Sequence, residues 1–75
     1  MWYEGRINDF YYCLKSYHSP SPYGVSAGRV SKIQLWKTGE YGARRVYAHY
    51  ERGWLVDVTD PEAAEALKLL LERFS

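Results

Sequence analysis

The hydrophobic period of the chain changes within residues 54–74, which read WLVDVTDPEAAEALKLLLERF. At the start of this stretch Trp54, Val56 and Val58 recur every second residue, which is typical of a strand that points them into a core. Beyond Pro61 the apolar side chains recur every third or fourth residue, which is typical of one helix face. A last strand over 54–58 is therefore predicted to lead directly into a C-terminal helix. The predicted buried stripe of this helix is Ala63, Ala66, Leu67, Leu70 and Phe74, with Leu71 beside it and Leu69 facing away.

The start of the predicted helix carries capping signals. Residues Thr59-Asp60-Pro61-Glu62 fit a capping box, in which the Thr59 hydroxyl accepts from the backbone N–H of Glu62 while the Glu62 side chain bonds back. Pro61 would lie in the first turn, where its missing N–H costs nothing. Thr59 is therefore the predicted N-cap.

Four more strands are predicted upstream of this junction. The first runs from Trp2 to Ile7, and the turn residues Asn8-Asp9 lead into a second strand over 10–17. The third and fourth cover 29–36 and 44–51, and turn residues at 38–42 join them as a hairpin. The two-residue period places Phe10, Tyr12 and Leu14 on the core side of the second strand, and Ile33 and Leu35 opposite Lys32 and Gln34 on the third. On the fourth it places Val46, Ala48 and Tyr50 on one side and Arg45, Tyr47, His49 and Glu51 on the other.

The element order predicts an α+β fold (βββββα). About five mostly antiparallel strands are followed by one C-terminal α-helix that packs on one face of the sheet, all in a single small domain covering 1–75. One helix is too narrow to cover a sheet of this width. The uncovered face is then expected to rest on aromatic side chains or on a partner.

Composition narrows the class of protein. Lys and Arg number 10 against 9 Asp and Glu, and a net charge of +1 argues against a surface that follows a phosphate backbone throughout. A hydrophobic fraction of 47% excludes a highly charged disordered chain. Aromatic residues reach 17%. We interpret most of them as compensation for the thin core of a short chain, with a recognition surface as the alternative.

No membrane segment or leader is expected. The sequence contains no apolar run that approaches the roughly 20 residues needed to cross a bilayer. The segment Met1-Trp2-Tyr3-Glu4 also lacks the charged and apolar regions of a signal peptide. The expected location is therefore the cytoplasm.

Few residues suggest catalysis. Cys13 lies in a strand dense in aromatic residues and is expected to be a buried, inert thiol. His18 and His49, with a single Cys in the chain, form no recognisable metal signature. Gly24 and Gly28 precede a strand and no Gly-Lys-Ser/Thr, so they do not form a phosphate loop. We therefore expect no enzyme, no catalytic residues, no metal and no cofactor.

A long loop is predicted over residues 18–28, which contain two Pro, two Gly and three Ser. Loops of this length are more often functional or mobile than short ones. The alternative, a loose connection between sheet edges, stays open.

Two stretches resemble a family of short uncharacterised proteins from Gram-positive bacteria and their phages or prophages. Residues 23–32 resemble its Tyr-Gly-Ile-x-x-Gly-Arg-Ile-Ser-Lys motif, and 49–54 resemble Asn-Tyr-Asp-Arg-Gly-Trp, with His49 and Glu51 in place of Asn and Asp. The family also opens with an aromatic-Glu-Gly segment like 2–5. The resemblance implies a mobile-element context. A structural interpretation of the motifs gives Gly24, Gly28 and Gly53 positive φ, makes Trp54 a core residue, and lets Arg29 and Arg52 hold the loop through backbone carbonyls.

The leading hypothesis is a non-enzymatic protein-interaction module, such as a phage-type accessory or inhibitor protein. It would bind another protein, or itself as a homodimer, through the uncovered sheet face, a sheet edge or loop 18–28. The alternative is a weak single-stranded nucleic-acid binder that uses basic and aromatic residues on strands 29–36 and 44–51. The candidate interaction residues are Tyr23, Arg29, Lys32, Trp36, Arg44, Arg45, Tyr47, His49 and Arg52.

Overall fold

A computed structural model describes residues 1–74 as five strands followed by one helix. The strands are β1 (Trp2–Ile7), β2 (Phe10–Ser16), β3 (Val30–Thr38), β4 (Arg44–Glu51) and β5 (Trp54–Val56), and the helix is α1 (Pro61–Arg73). Short 3-10 turns lie at Val25–Ala27 and Glu40–Gly42. The predicted α+β class, with its βββββα order, is confirmed.

The sheet is an antiparallel meander. Its spatial order is β1-β2-β3-β4-β5, so each strand pairs with its neighbours in the chain. Asn8 and Asp9 form the two-residue connection between Ile7 and Phe10, and Asn8 takes the positive φ (52°) that such a turn requires. Asparagine tolerates this left-handed conformation better than most residues, which is why the sequence already predicted the turn there.

The core lies between one face of the sheet and α1. The predicted core face of β2, Phe10, Tyr12 and Leu14, is buried, and Ile33 and Leu35 on β3 are buried beside it. The predicted helix stripe is also confirmed. Ala63, Ala66, Leu67 and Leu70 are buried, while Leu71 and Phe74 are partly buried against the core.

A β-bulge in β4 overturns the predicted alternation of that strand. Leu35 pairs with Ala48, but the next residue of β3, Trp36, pairs with Val46, so Tyr47 is an extra residue without a partner. Tyr47 turns its ring to the core, 5.2 Å from that of Phe10. Beyond the bulge the sides exchange, and Arg45 lies 4.9 Å from the Tyr47 ring. The predictions that Arg45 and Tyr47 share a face with His49, and that Val46 shares a face with Ala48 and Tyr50, were wrong.

The last strand is shorter and more exposed than its period predicted. β5 holds only three residues, and Leu55 is a further extra residue, because Tyr50 pairs with Trp54 and His49 pairs with Val56. Trp54 is 40% exposed and rests edge-on against the Tyr50 ring, with the ring centroids 5.1 Å apart. Of the predicted inward triplet, Val58 is partly buried against the core, whereas Trp54 and Val56 are exposed.

Asp60, and not Thr59, caps α1. The Asp60 carboxylate Oδ2 accepts a hydrogen bond from the backbone N–H of Ala63 at 2.9 Å, and Pro61 occupies the first turn as predicted. The capping-box prediction was therefore displaced by one residue. Aspartate serves as well as threonine at this position, and its charge also favours the helix N-terminus.

Alanine substitutions at Asp60 and Thr59 test which of the two residues caps α1. The Asp60→Ala variant is expected to lose about 1 kcal/mol of unfolding free energy in urea denaturation, because one N–H of the first turn is left without an acceptor. The Thr59→Ala variant is the matched control and is expected to change the free energy by less than about 0.5 kcal/mol. Equal losses in the two variants would contradict the observed cap.

The glycines predicted to need positive φ do not adopt it. Gly24 (φ −76°) and Gly28 (φ −96°) are extended, and among residues 1–74 the only positive-φ glycine is Gly42. Gly24 is required for space instead, since a Cβ there would lie 2.2 Å from the carbonyl oxygen of Gly28. The left-handed turn positions are filled partly by non-glycine residues, among them Arg52 (φ 62°).

Candidate interaction surface

The sheet face opposite α1 is not covered by any other described element; we call it the open face. Its side chains alternate along the strands with the buried residues of the core face, and cross-strand pairing aligns them in three rows. The three rows are Arg6, Tyr11, Trp36 and Val46; Glu4, Cys13, Gln34 and His49; and Trp2, Lys15, Lys32 and Glu51. Arg44 pairs with Thr38, but its guanidinium lies over the Trp36 ring, so we count it with the first row.

The first row, which we call the aromatic row, carries a ladder of rings and guanidinium groups. The Tyr11 and Trp36 rings lie 22° from parallel with their centroids 6.1 Å apart. The Arg6 guanidinium lies 5.1 Å from the Tyr11 centroid, and that of Arg44 lies 3.9 Å from the Trp36 centroid. Arg44 Nη1 also donates to Gln34 Oε1 at 2.8 Å. The ladder therefore holds long cationic side chains in place on the surface.

The third row also contains a cation close to aromatic rings. Lys15 Nζ lies 5.7 Å from the Trp2 centroid and 5.2 Å from that of Tyr17. Lys32 Nζ and Glu51 Oε1 form an exposed ion pair at 3.1 Å. The Lys32 ammonium, through this hydrogen bond and its charge, lowers the pKa of Glu51, and the hydrogen bond from Lys15 lowers the pKa of the Tyr17 phenol.

The middle row contains the free thiol of the chain. Cys13 is half-buried among polar neighbours. Burial, followed by the nearby Glu4 carboxylate, raises the pKa of Cys13, and the positive charge of Arg44 only partly opposes this. The thiolate is the nucleophilic form of cysteine, so this environment works against a nucleophilic role.

A second cluster anchors the long loop at one end of the sheet. The Tyr50 hydroxyl donates to the carbonyls of Tyr23 and Gly24, at 3.0 and 3.1 Å. Arg29 Nε donates to the Tyr17 carbonyl at 2.8 Å, which confirms the predicted hold on backbone by this arginine. Arg52 instead contacts the loop through the Tyr23 ring, with its guanidinium 5.9 Å from the ring centroid.

The whole chain matches one family model. Residues 1–75 match a domain of unknown function, DUF7678. The chain belongs to this family. A search of the curated proteins and a search of the solved structures each found no match.

In this DUF7678 member the two quoted motifs form one structural unit. Tyr50 of the second motif bonds to the backbone of Tyr23 and Gly24 in the first, and Glu51 pairs with Lys32. The backbone N–H of Arg52 reaches the Ser31 carbonyl at 3.5 Å. Much of each motif therefore serves to hold loop 18–28 against β3 and β4.

The nine predicted site residues separate into three places. The open face holds Lys32, Trp36, Arg44 and His49, while the bulge moves Arg45 and Tyr47 to the helix side. Tyr23, Arg29 and Arg52 belong to the loop anchor. Prediction missed the contribution of β1 and β2. Their two-residue period already placed four further aromatic or basic residues on one side: Trp2, Arg6, Tyr11 and Lys15.

Two features of the described residues concern metals and membranes. Among residues 1–74, no group of three or more His, Cys, Asp or Glu side chains is placed to hold a metal ion. No helix in that described part is long and apolar enough to cross a membrane.

Proposed function

We propose that this protein is a non-enzymatic interaction module whose open face binds an acidic surface of another protein. The observation that supports this most is the aromatic row, in which Tyr11 and Trp36 lie between two arginines on a face that α1 does not cover. Trp, Tyr and Arg are the residues that most often supply the binding energy of protein interfaces.

The net positive charge of the open face favours a partner with an acidic surface. Four cations, Arg6, Lys15, Lys32 and Arg44, stand on it against two carboxylates, Glu4 and Glu51. An acidic surface complements this excess, which raises the rate of encounter and disfavours basic partners. Arg6, Lys15 and Arg44 already contact rings, and Lys32 contacts Glu51, so binding costs less side-chain entropy than it would for free side chains.

Single-stranded nucleic acid is the second candidate ligand, because bases stack on aromatic rings beside cations. Three features favour protein over nucleic acid. The Arg44 guanidinium occupies a face of the Trp36 ring on which a base would stack. Glu4 and Glu51 stand among the cations and repel phosphate. Two residues of the predicted nucleic-acid surface, Arg45 and Tyr47, lie on the other side of the sheet.

The biological setting is proposed from the resemblance. Proteins with these two motifs belong to Gram-positive bacteria and their phages or prophages, so the partner is expected to be a cytoplasmic protein of the host or of the mobile element. An accessory or inhibitor role fits a small domain that works by covering a surface of its partner.

The proposal is tested by capturing a partner protein and then measuring its binding with purified components. A protein captured from host lysate is purified and titrated calorimetrically against the wild type and three variants. Trp36→Ala and Arg44→Glu are each expected to weaken binding about tenfold or more, because they remove the centre of the aromatic row. Arg45→Glu reverses the adjacent charge on the opposite side of the sheet and is expected to stay within about twofold of the wild type.

Two outcomes would contradict the proposal. In one, the captured protein binds Trp36→Ala and Arg44→Glu as tightly as the wild type. In the other, a 15-nucleotide oligothymidylate quenches tryptophan fluorescence at low salt, with an affinity that falls steeply as salt rises and is lost in Arg44→Glu. That second result would support the nucleic-acid function instead.

A further inference from the structure

The outer edge of β1 has unpaired backbone groups. Among residues 1–74, β1 pairs with β2 alone and ends the sheet on that side. Met1 and Ser16 exchange two hydrogen bonds, of 2.9 and 3.0 Å. Because such pairs recur every second residue in an antiparallel ladder, Tyr3, Gly5 and Ile7 bond to β2 while Trp2, Glu4 and Arg6 direct their N–H and C=O groups outward.

This edge is longer and more regular than the other edge of the sheet. β1 has six residues in regular register with β2, without a proline or a bulge. The opposite edge, β5, is only three residues long and irregular. Long regular edges are templates for another strand, and proteins commonly shorten, bend or cover them.

We propose that a second copy of this chain pairs antiparallel with β1, with Glu4 opposite Arg6 of the partner subunit. The two-fold axis passes between the two Gly5 residues, perpendicular to the sheet, so each Glu4 faces an arginine and each Arg6 faces a glutamate. Both residues direct backbone groups outward, so they can form the hydrogen-bonded pairs of the new ladder. This inference does not depend on the proposed function of the open face.

Charge selects this register among those that the backbone allows. Shifting the pairing by two residues places Glu4 opposite Glu4 of the partner subunit or, in the other direction, Arg6 opposite Arg6 of the partner subunit. Like charges directly opposite each other destabilise a strand pair, whereas opposite charges stabilise it. The segment Glu4-Gly5-Arg6 is therefore complementary to itself in one register only.

The remaining pairs of that register are compatible with it. On the helix side, Tyr3 faces Ile7 of the partner subunit, which pairs an aromatic with a β-branched side chain. At the axis, two glycines face each other where antiparallel strands approach most closely. The axis keeps both helices on one side, so the dimer has a ten-stranded sheet and one continuous open face.

The mass in solution, measured by sedimentation velocity over about 5–500 μM, tests the pairing. We expect the wild type to approach twice its 8.8 kDa at high concentration. Glu4→Arg and Arg6→Glu each put two like-charge pairs into the interface, and each is expected to weaken dimerisation on the order of tenfold. The double variant Glu4→Arg/Arg6→Glu restores both pairs and is expected to recover the wild-type dissociation constant. Glu65→Arg, a charge reversal on the exposed side of α1, is the control and leaves it unchanged.

Each other outcome overturns the inference. A mass of 8.8 kDa for the wild type at every concentration removes the dimer. If the single charge reversals leave dimerisation unchanged, the dimer interface does not include β1. If the double variant dimerises as weakly as the single variants, the proposed register is wrong. Circular dichroism verifies that each variant is folded. Trp36→Ala lies on β3, away from this edge, and is expected to leave the dimer unchanged while it weakens partner binding, so failure of this inference and failure of the proposed function are read on different variants.

Discussion

Replacing Leu70 by alanine is expected to lower the free energy of unfolding by about 2–5 kcal/mol, measured by urea denaturation. Leu70 is 0% exposed and lies at the centre of the helix stripe that closes the core. Its truncation loses the transfer free energy of the removed carbons and leaves a cavity that the sheet can fill only in part. A domain of this size has about 4–11 kcal/mol in total, so the variant stands near the limit of folding.

The adjacent residue provides the matched control. Leu69 is 38% exposed on the other side of the same helix. Leu69→Ala makes the same chemical change in the same turn and slightly improves helix propensity, so we expect a change below about 0.5 kcal/mol. Similar losses at the two positions would contradict the packing of α1 on the sheet.

Replacing Gly24 by alanine is expected to cost about 2–4 kcal/mol and to release loop 18–28 from the sheet. The new Cβ would stand 2.2 Å from the Gly28 carbonyl oxygen and 3.1 Å from that of Val30, both of them backbone atoms that no side-chain rotation can remove. The loop must move, and the Tyr50 hydroxyl then loses acceptors at Tyr23 and Gly24. Urea denaturation measures the cost, and amide hydrogen exchange of the loop measures the release.

Alanine substitutions at two other glycines provide comparisons for the stability loss expected at Gly24. Gly53 has open space around its Cβ position, and Gly53→Ala is expected to change stability by less than about 0.5 kcal/mol. Gly28→Ala would meet the Val25 carbonyl at 3.0 Å and is expected to fall between the two. A Gly24→Ala variant as stable as Gly53→Ala would mean that the loop does not pack as described.

The two proposed surfaces share strand β1. Trp2, Glu4 and Arg6 extend their side chains over the open face and direct their backbone groups to the edge. A dimer would therefore double the open face without hiding it. Two copies of one acidic partner, or one repetitive partner, would then bind with the gain in avidity that linked sites provide.

Local sequence determined most of the fold. Periods of two and of three to four residues distinguish strands from the helix, and Asn8-Asp9 and Pro61 set their boundaries, because these signals depend on backbone geometry within a few residues. Each strand connection is short, so the order of strands in the sheet followed from the order in the chain. The width of one helix against five strands already indicated an uncovered face.

The tertiary structure alone decided which side chains stand on that face. Tyr47 is displaced to the core side because pairing of β4 with β3 inserts a bulge, and a single extra residue reverses every side chain beyond it. Gly24 is needed because another segment of backbone passes close to it. Glu4 and Arg6 can pair with a second chain only because β1 lies at the edge of the sheet. Periodicity describes one strand at a time, whereas bulges, close approaches and free edges are properties of pairs of segments.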